Sequence, residues 1–131
     1  MANSKARPLS PHLTIWRWGP HMLVSILHRI SGAGLSLVGL AVLVWWLMAI
    51  ADGPDAYAQF TKLAGHPAGL VVLIGLTWAF FQHLLSGVRH LAMDTGAAFE
   101  LDTNKRFAIL TIVGSVVLTA ALWAWILGVR P

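Results

Sequence analysis

The sequence predicts an all-α membrane protein with three transmembrane helices. Hydrophobic residues make up 57% of its 131 residues and charged residues only 11%, against roughly 25% charged in a soluble domain. Three windows, 30–51, 67–88 and 107–128, contain no Asp, Glu, Lys or Arg. Each window is about 22 residues, or about 33 Å as a helix, which matches a hydrocarbon core of roughly 30 Å. Inside lipid the backbone must satisfy its own hydrogen bonds, so each window is a helix. A soluble bundle needs a polar face on each helix, and these windows offer none. Nor do they alternate apolar and polar residues as a membrane β-barrel would.

The chain reads as one membrane-anchor domain over 1–131. Residues 1–20 carry Pro8, Pro11 and Pro20 and read as an extended cytoplasmic segment along the membrane surface. The spans are placed at about 22–51, 67–90 and 107–129. Between the first two lies Asp52-Gly-Pro-Asp55, a turn, with a helical turn expected around 56–63. The second connection is placed at about 89–106. Trp16, Trp18, Trp45, Trp46, Trp123 and Trp125 fall near span ends and suit interfacial anchoring, whereas Trp78 lies mid-span and is expected to pack inside. Ser25, Gly32, Ser36 and Gly39 form a stripe of small residues that lets another helix approach closely. Three helices leave an incomplete core, so partner helices are expected. No internal repeat is visible and no span is visibly broken, which disfavours a transporter.

The formal charge of +4 is not read as nucleic-acid binding, because of where the charges lie. Lys5, Arg7, Arg17 and Arg29 precede or open the first span, and Arg89, Lys105 and Arg106 lie between the second and third. Only Lys62 and Arg130 fall on the opposite side. The positive-inside rule puts the N-terminus in the cytoplasm, or in the matrix of a mitochondrion. The start of the chain lacks the pattern of a cleavable signal or an Arg- and Ser-rich transit peptide, which favours a bacterial inner membrane. There is no cysteine, which excludes disulfides, thiolate metal sites and covalent haem attachment within these residues.

Six histidines in so apolar a chain call for explanation. His83 is the deepest, about 9 Å along the helix from the charged end at Arg89. Gly87 and His90 follow on the same helical face. Gly87 removes a side chain where a flat macrocycle would need room, and neutral imidazole is a common axial ligand of haem iron. A hydrogen-bonded structural histidine is the other reading, and spacing does not decide between them. No other span carries a second deep histidine. His28 and His90 are at one edge, His66 at the other, and His12 and His21 precede the first span. A sixth ligand would therefore come from another protein. Ser25 and Arg29 are four apart and share a helix face with His28 close by. A hydroxyl and a guanidinium there suit a quinone carbonyl or a haem propionate. Equally, Arg29 can snorkel to lipid phosphates while Ser25 packs.

Three ordered motifs carry a family resemblance. Arg7-Pro-Leu-Ser-Pro-His-Leu13, Ser25-Ile-Leu-His-Arg-Ile-Ser-Gly32 and His83-Leu-Leu-Ser-Gly-Val-Arg-His-Leu-Ala-Met-Asp94 resemble the signatures of the cytochrome b anchor subunit of succinate dehydrogenase, complex II. The resemblance spans nearly the whole chain. It implies a subunit that pairs with a second small membrane-anchor subunit, shares one haem b with it, and docks an iron–sulfur subunit and a flavoprotein subunit. Electrons from succinate then reach ubiquinone. It implies that His83 is the haem iron ligand and that Ser25 and Arg29 belong to the quinone site. It further implies that His28, Arg29 and His90 reach the propionate region, with Asp94 in a polar network near the quinone. The alternatives are a haem-free anchor, or the anchor of a fumarate reductase running the reverse reaction. The chain alone lacks a dicarboxylate site, a flavin site and iron–sulfur ligands, so it is not expected to be catalytic alone.

Overall fold

A computed structural model of the chain describes residues 18–129, and the motif at 7–13, His12, Trp16, Lys5, Arg17 and Arg130 lie outside them. Four helices follow in order, and the described residues contain no strand. Helix α1 runs over Pro20–Asp52, α2 over Pro54–Gly65, α3 over Pro67–Asp94 and α4 over Leu101–Val129. Helices α1, α3 and α4 are long and apolar enough to cross a membrane. With 33 residues, α1 is about 50 Å long, more than a hydrocarbon core needs, so it tilts or projects beyond the core.

Local chemistry sets the helix ends. Pro20, Pro54 and Pro67 each open a helix, where a missing N–H loses no bond and the fixed φ is already helical. The His66 ring caps α3, its Nδ1 accepting from the Ala68 N–H at 3.3 Å. Gly53 joins α1 to α2 at φ 105, a conformation that a side chain would oppose. The corner between α2 and α3 is tighter still. A Cβ on Gly69 would stand 2.2 Å from the Leu63 carbonyl oxygen.

Two expectations about the connections are corrected. The single helical turn expected around 56–63 is a full 12-residue helix, α2. The second connection is only the short break between Asp94 and Leu101, not 89–106. Backbone hydrogen bonding continues past the apolar window, so Arg89, His90, Asp94, Lys105 and Arg106 stand on helices. Within α1, Leu35–Gly39 forms a π-helical turn in which the Leu40 N–H reaches the Leu35 carbonyl.

The bundle is small and polar inside, large and apolar outside. Its buried residues are Val24, Ala49, Ala79 and Ala108 together with Ser31, Gln82, Ser86, Arg89, Thr111, Ser115 and Thr119. Leu37, Val71, Leu110, Val117 and many other large apolar side chains face outward. Lipid replaces water as the outer solvent, so large apolar groups gain nothing by moving inward, and small residues let helices approach. Helices α3 and α4 form the most extensive contact, and the first half of α1 packs against both. Hydroxyls in the spans bond back to their own helix: Thr77 to the Leu73 carbonyl at 2.7 Å, Thr111 to Phe107 at 2.9 Å and Thr119 to Ser115 at 2.7 Å.

Candidate functional site

Where α1 begins and α3 ends, three histidine rings come together. Helix α1 supplies His28, and α3 supplies His83 and His90, seven residues apart on one face. The His28 and His83 rings stack in parallel, 4.0 Å between centroids and 7° between planes. His90 meets His28 edge to face at 5.3 Å. His83 and His28 are half-buried, and His90 is exposed.

The His83 ring is tied to α1 through one edge. Its Nδ1 lies 3.1 Å from the His28 carbonyl oxygen and 3.3 Å from the Ser31 Oγ. The Ser31 hydroxyl itself donates to the same carbonyl at 3.0 Å. A carbonyl can only accept, and the Ser31 proton is already committed to it. Both groups facing Nδ1 are therefore acceptors, so Nδ1 carries a proton, and in the neutral tautomer the lone pair lies on Nε2. The buried Nδ1 of His28, by contrast, has no partner. Backing the cluster is Gly32: a Cβ there would lie 2.9 Å from His83 Cε1.

The other residues named from the sequence are differently placed. Ser25 is half-buried and Arg29 exposed, one turn apart on α1; Asp94 is exposed at the end of α3. No hydrogen bond, ion pair or ring contact joins these three to the histidine cluster among the described residues. Gly87 leaves open room beside the cluster, since a Cβ there would meet only His28 Cε1, at 4.0 Å. Two of the four small residues on α1 are taken up within the chain. Gly32 abuts His83, and Gly39 abuts Leu76, while Ser36 stays exposed.

The sequence reading missed a polar seam on another face of α3. Gln82, Ser86 and Arg89 turn toward α4 and are buried. The Ser115 hydroxyl donates to Gln82 Oε1 at 2.9 Å. Arg89 donates to Asn104 Oδ1, and Trp123 Nε1 donates to Thr77 Oγ1 at 3.2 Å. Trp123 thus locks α4 to α3 instead of serving only as an interfacial anchor. Gln82 Nε2, Ser86 Oγ and Arg89 Nε have no partner. The available signal was the spacing of Gln82, Ser86 and Arg89 by four and three, the helical repeat of one face. Among the described residues no three His, Cys, Asp or Glu side chains converge to hold a metal ion by themselves.

Comparison with known proteins agrees with this architecture. The family model of the succinate dehydrogenase/fumarate reductase transmembrane subunit matches residues 3–122. This chain belongs to that family. The cytochrome b556 subunit of succinate dehydrogenase from Paracoccus denitrificans is 38% identical over 116 residues, covering 88% of each chain. That from Rickettsia conorii is 35% identical over 117 residues, 89% of this chain and 90% of the relative. The mitochondrial cytochrome b560 subunit of Sus scrofa is 32% identical over 124 residues, 87% of this chain and 70% of the relative. Bacterial and mitochondrial relatives, together with three apolar spans, mark this succinate dehydrogenase-family subunit as an integral membrane protein.

Proposed function

We propose that this chain is the cytochrome b anchor subunit of a succinate:ubiquinone oxidoreductase, that His83 is an axial ligand of a haem b shared with a second small anchor subunit, and that Ser25 and Arg29 help to bind ubiquinone. The observation that carries the reading is the tethered His83 ring. A ligand imidazole must be neutral, with one nitrogen free for iron and the other held by an acceptor. His83 meets that requirement, with Nδ1–H on the His28 carbonyl and Nε2 left free. The residues around it fit the group. Gly87 leaves space, and the buried His28 Nδ1 lacks a partner, a polar atom suited to a carboxylate such as a propionate. His90 and Arg29 add donors at the same end of the bundle.

Bound haem supplies one-electron redox capacity at this end of the membrane arm. The chain's own groups do the rest. His83 holds its ring orientation through α1. The Ser25 hydroxyl donates a hydrogen bond to a quinone carbonyl. Arg29 supplies positive charge that favours electron arrival on the quinone, and Asp94 joins the polar network nearby. Arg29 on α1, Arg89 on α3 and Lys105 and Arg106 on α4 gather at this end, which supports a cytoplasmic side in a bacterium, or a matrix side if the source is mitochondrial. An iron–sulfur subunit carrying electrons from a flavoprotein subunit docks there.

The test is a reduced-minus-oxidised optical spectrum of the purified membrane complex. A b-type band in the wild type that is lost or strongly perturbed in His83→Ala supports the reading. A wild-type complex without that band makes the chain a haem-free anchor. An unchanged band in His83→Ala removes His83 from the iron.

A further inference from the structure

We propose that Ser31 and Gly32 are positioning residues for the His83 ring: Ser31 holds its proton-bearing edge, and Gly32 vacates the space that its Cε1 edge occupies. The inference rests on His83 as the haem ligand and extends it to two residues that touch neither iron nor quinone.

Ser31 is 2% exposed, so no water competes for its hydroxyl. It completes a triangle with the His28 carbonyl and His83 Nδ1, with sides of 3.0, 3.1 and 3.3 Å. Because the Ser31 proton goes to the carbonyl, its oxygen faces Nδ1 as a second acceptor. Two acceptors on Nδ1–H pull electron density toward the ring, which makes Nε2 a stronger donor and favours ferric over ferrous iron. Gly32 acts sterically on the same ring. A Cβ there would lie 2.9 Å from Cε1, 3.3 Å from Nδ1 and 3.9 Å from Nε2. With α1 backbone on one side, the ring is the part that must yield, and Nε2 moves with it. Gly34, two residues on in the same helix, has nothing within 4 Å of its Cβ position.

The experiment is a redox titration and low-temperature electron paramagnetic resonance of the haem in assembled complexes carrying Ser31→Ala, Ser31→Thr, Gly32→Ala or Gly34→Ala. Loss of one ordinary hydrogen bond changes an equilibrium by roughly three- to tenfold. In Ser31→Ala the ferrous-to-ferric ratio at fixed ambient potential should rise by that factor, an upward midpoint shift of about 30–60 mV at 59 mV per tenfold for one electron. Ser31→Thr, which keeps the hydroxyl, should restore the wild-type value. Gly32→Ala should shift the resonance or lower haem occupancy, although alanine is the better helix former. Gly34→Ala should match the wild type in both measurements. The proposal is overturned if Ser31→Ala and Gly32→Ala load haem with wild-type midpoint and resonance. An unshifted Ser31→Ala also overturns it when Gly32→Ala fails to assemble. A wild-type complex without haem, or a His83→Ala complex with an unchanged spectrum, is a different failure. It removes the haem reading itself.

Discussion

The seam between α3 and α4 offers a test of what holds these two spans together. Gln82 is fully buried, and its Oε1 accepts from the Ser115 hydroxyl at 2.9 Å while its Nε2 has no partner. Ser115 has a fallback, since its Oγ also lies 2.8 Å from the Ile112 carbonyl oxygen. The two residues are therefore not equivalent. Ser115→Ala strands both ends of a buried amide, whereas Gln82→Leu leaves Ser115 on Ile112 and removes an amide that was already half unsatisfied. Stranding a buried polar group costs about 1–3 kcal/mol in general. Interhelical bonds in membranes average about 0.6 and reach about 1.7 kcal/mol. We therefore expect Ser115→Ala to cost about 1–2 kcal/mol, and Gln82→Leu to fall within about 0.5 kcal/mol of wild type. The double variant should resemble Gln82→Leu, a coupling of about 1–2 kcal/mol. The assay is thermal or denaturant unfolding of the complex in detergent, run as a double-mutant cycle. Equal single effects that simply add would refute the reasoning.

Three further outcomes follow from other parts of the molecule. Ser25→Ala and Arg29→Leu should slow succinate-to-quinone electron transfer by up to about 10- to 150-fold, the equivalent of a charged hydrogen bond. Succinate oxidation by an artificial acceptor taking electrons from the soluble subunits should persist, and an unchanged ratio of the two activities would exclude both residues from the quinone site. Asn104→Ala removes the one described hydrogen-bond partner of the Arg89 guanidinium, which is 6% exposed. It should lower stability by about 1.5–3 kcal/mol, measured as the melting temperature of the complex in detergent, while Asn104→Asp should not. Gly69→Ala places a Cβ 2.2 Å from the Leu63 oxygen and 2.8 Å from the Ala64 oxygen, both backbone atoms. It should cost about 1–3 kcal/mol and render α2 more open to protease cleavage.

The sequence alone determined the spans. Lipid obliges every backbone group to find a partner within its own helix, so length and the absence of charge suffice to count three candidate crossings. It also determined that His83, Gly87 and His90 share a face of α3, because helical periodicity is a local property. The motif at 25–32 and the motif at 83–94 pointed to the family without any coordinates. Tertiary structure decided what each face meets. Arg89 was counted with the interfacial charges, yet it is buried, because α4 brings Asn104 against that side of α3. Gln82 and Ser115 were two polar residues in different spans until helix packing put their side chains in contact. Small residues on α1 predicted the close approach of another helix, and the fold shows which one: His83 of α3 stands against Gly32. Hydropathy records how far a residue sits from water on average, which is the same for every face of a helix in lipid. Which face turns toward which neighbour depends on side chains more than fifty positions away, as His83 Nδ1 and the His28 carbonyl illustrate.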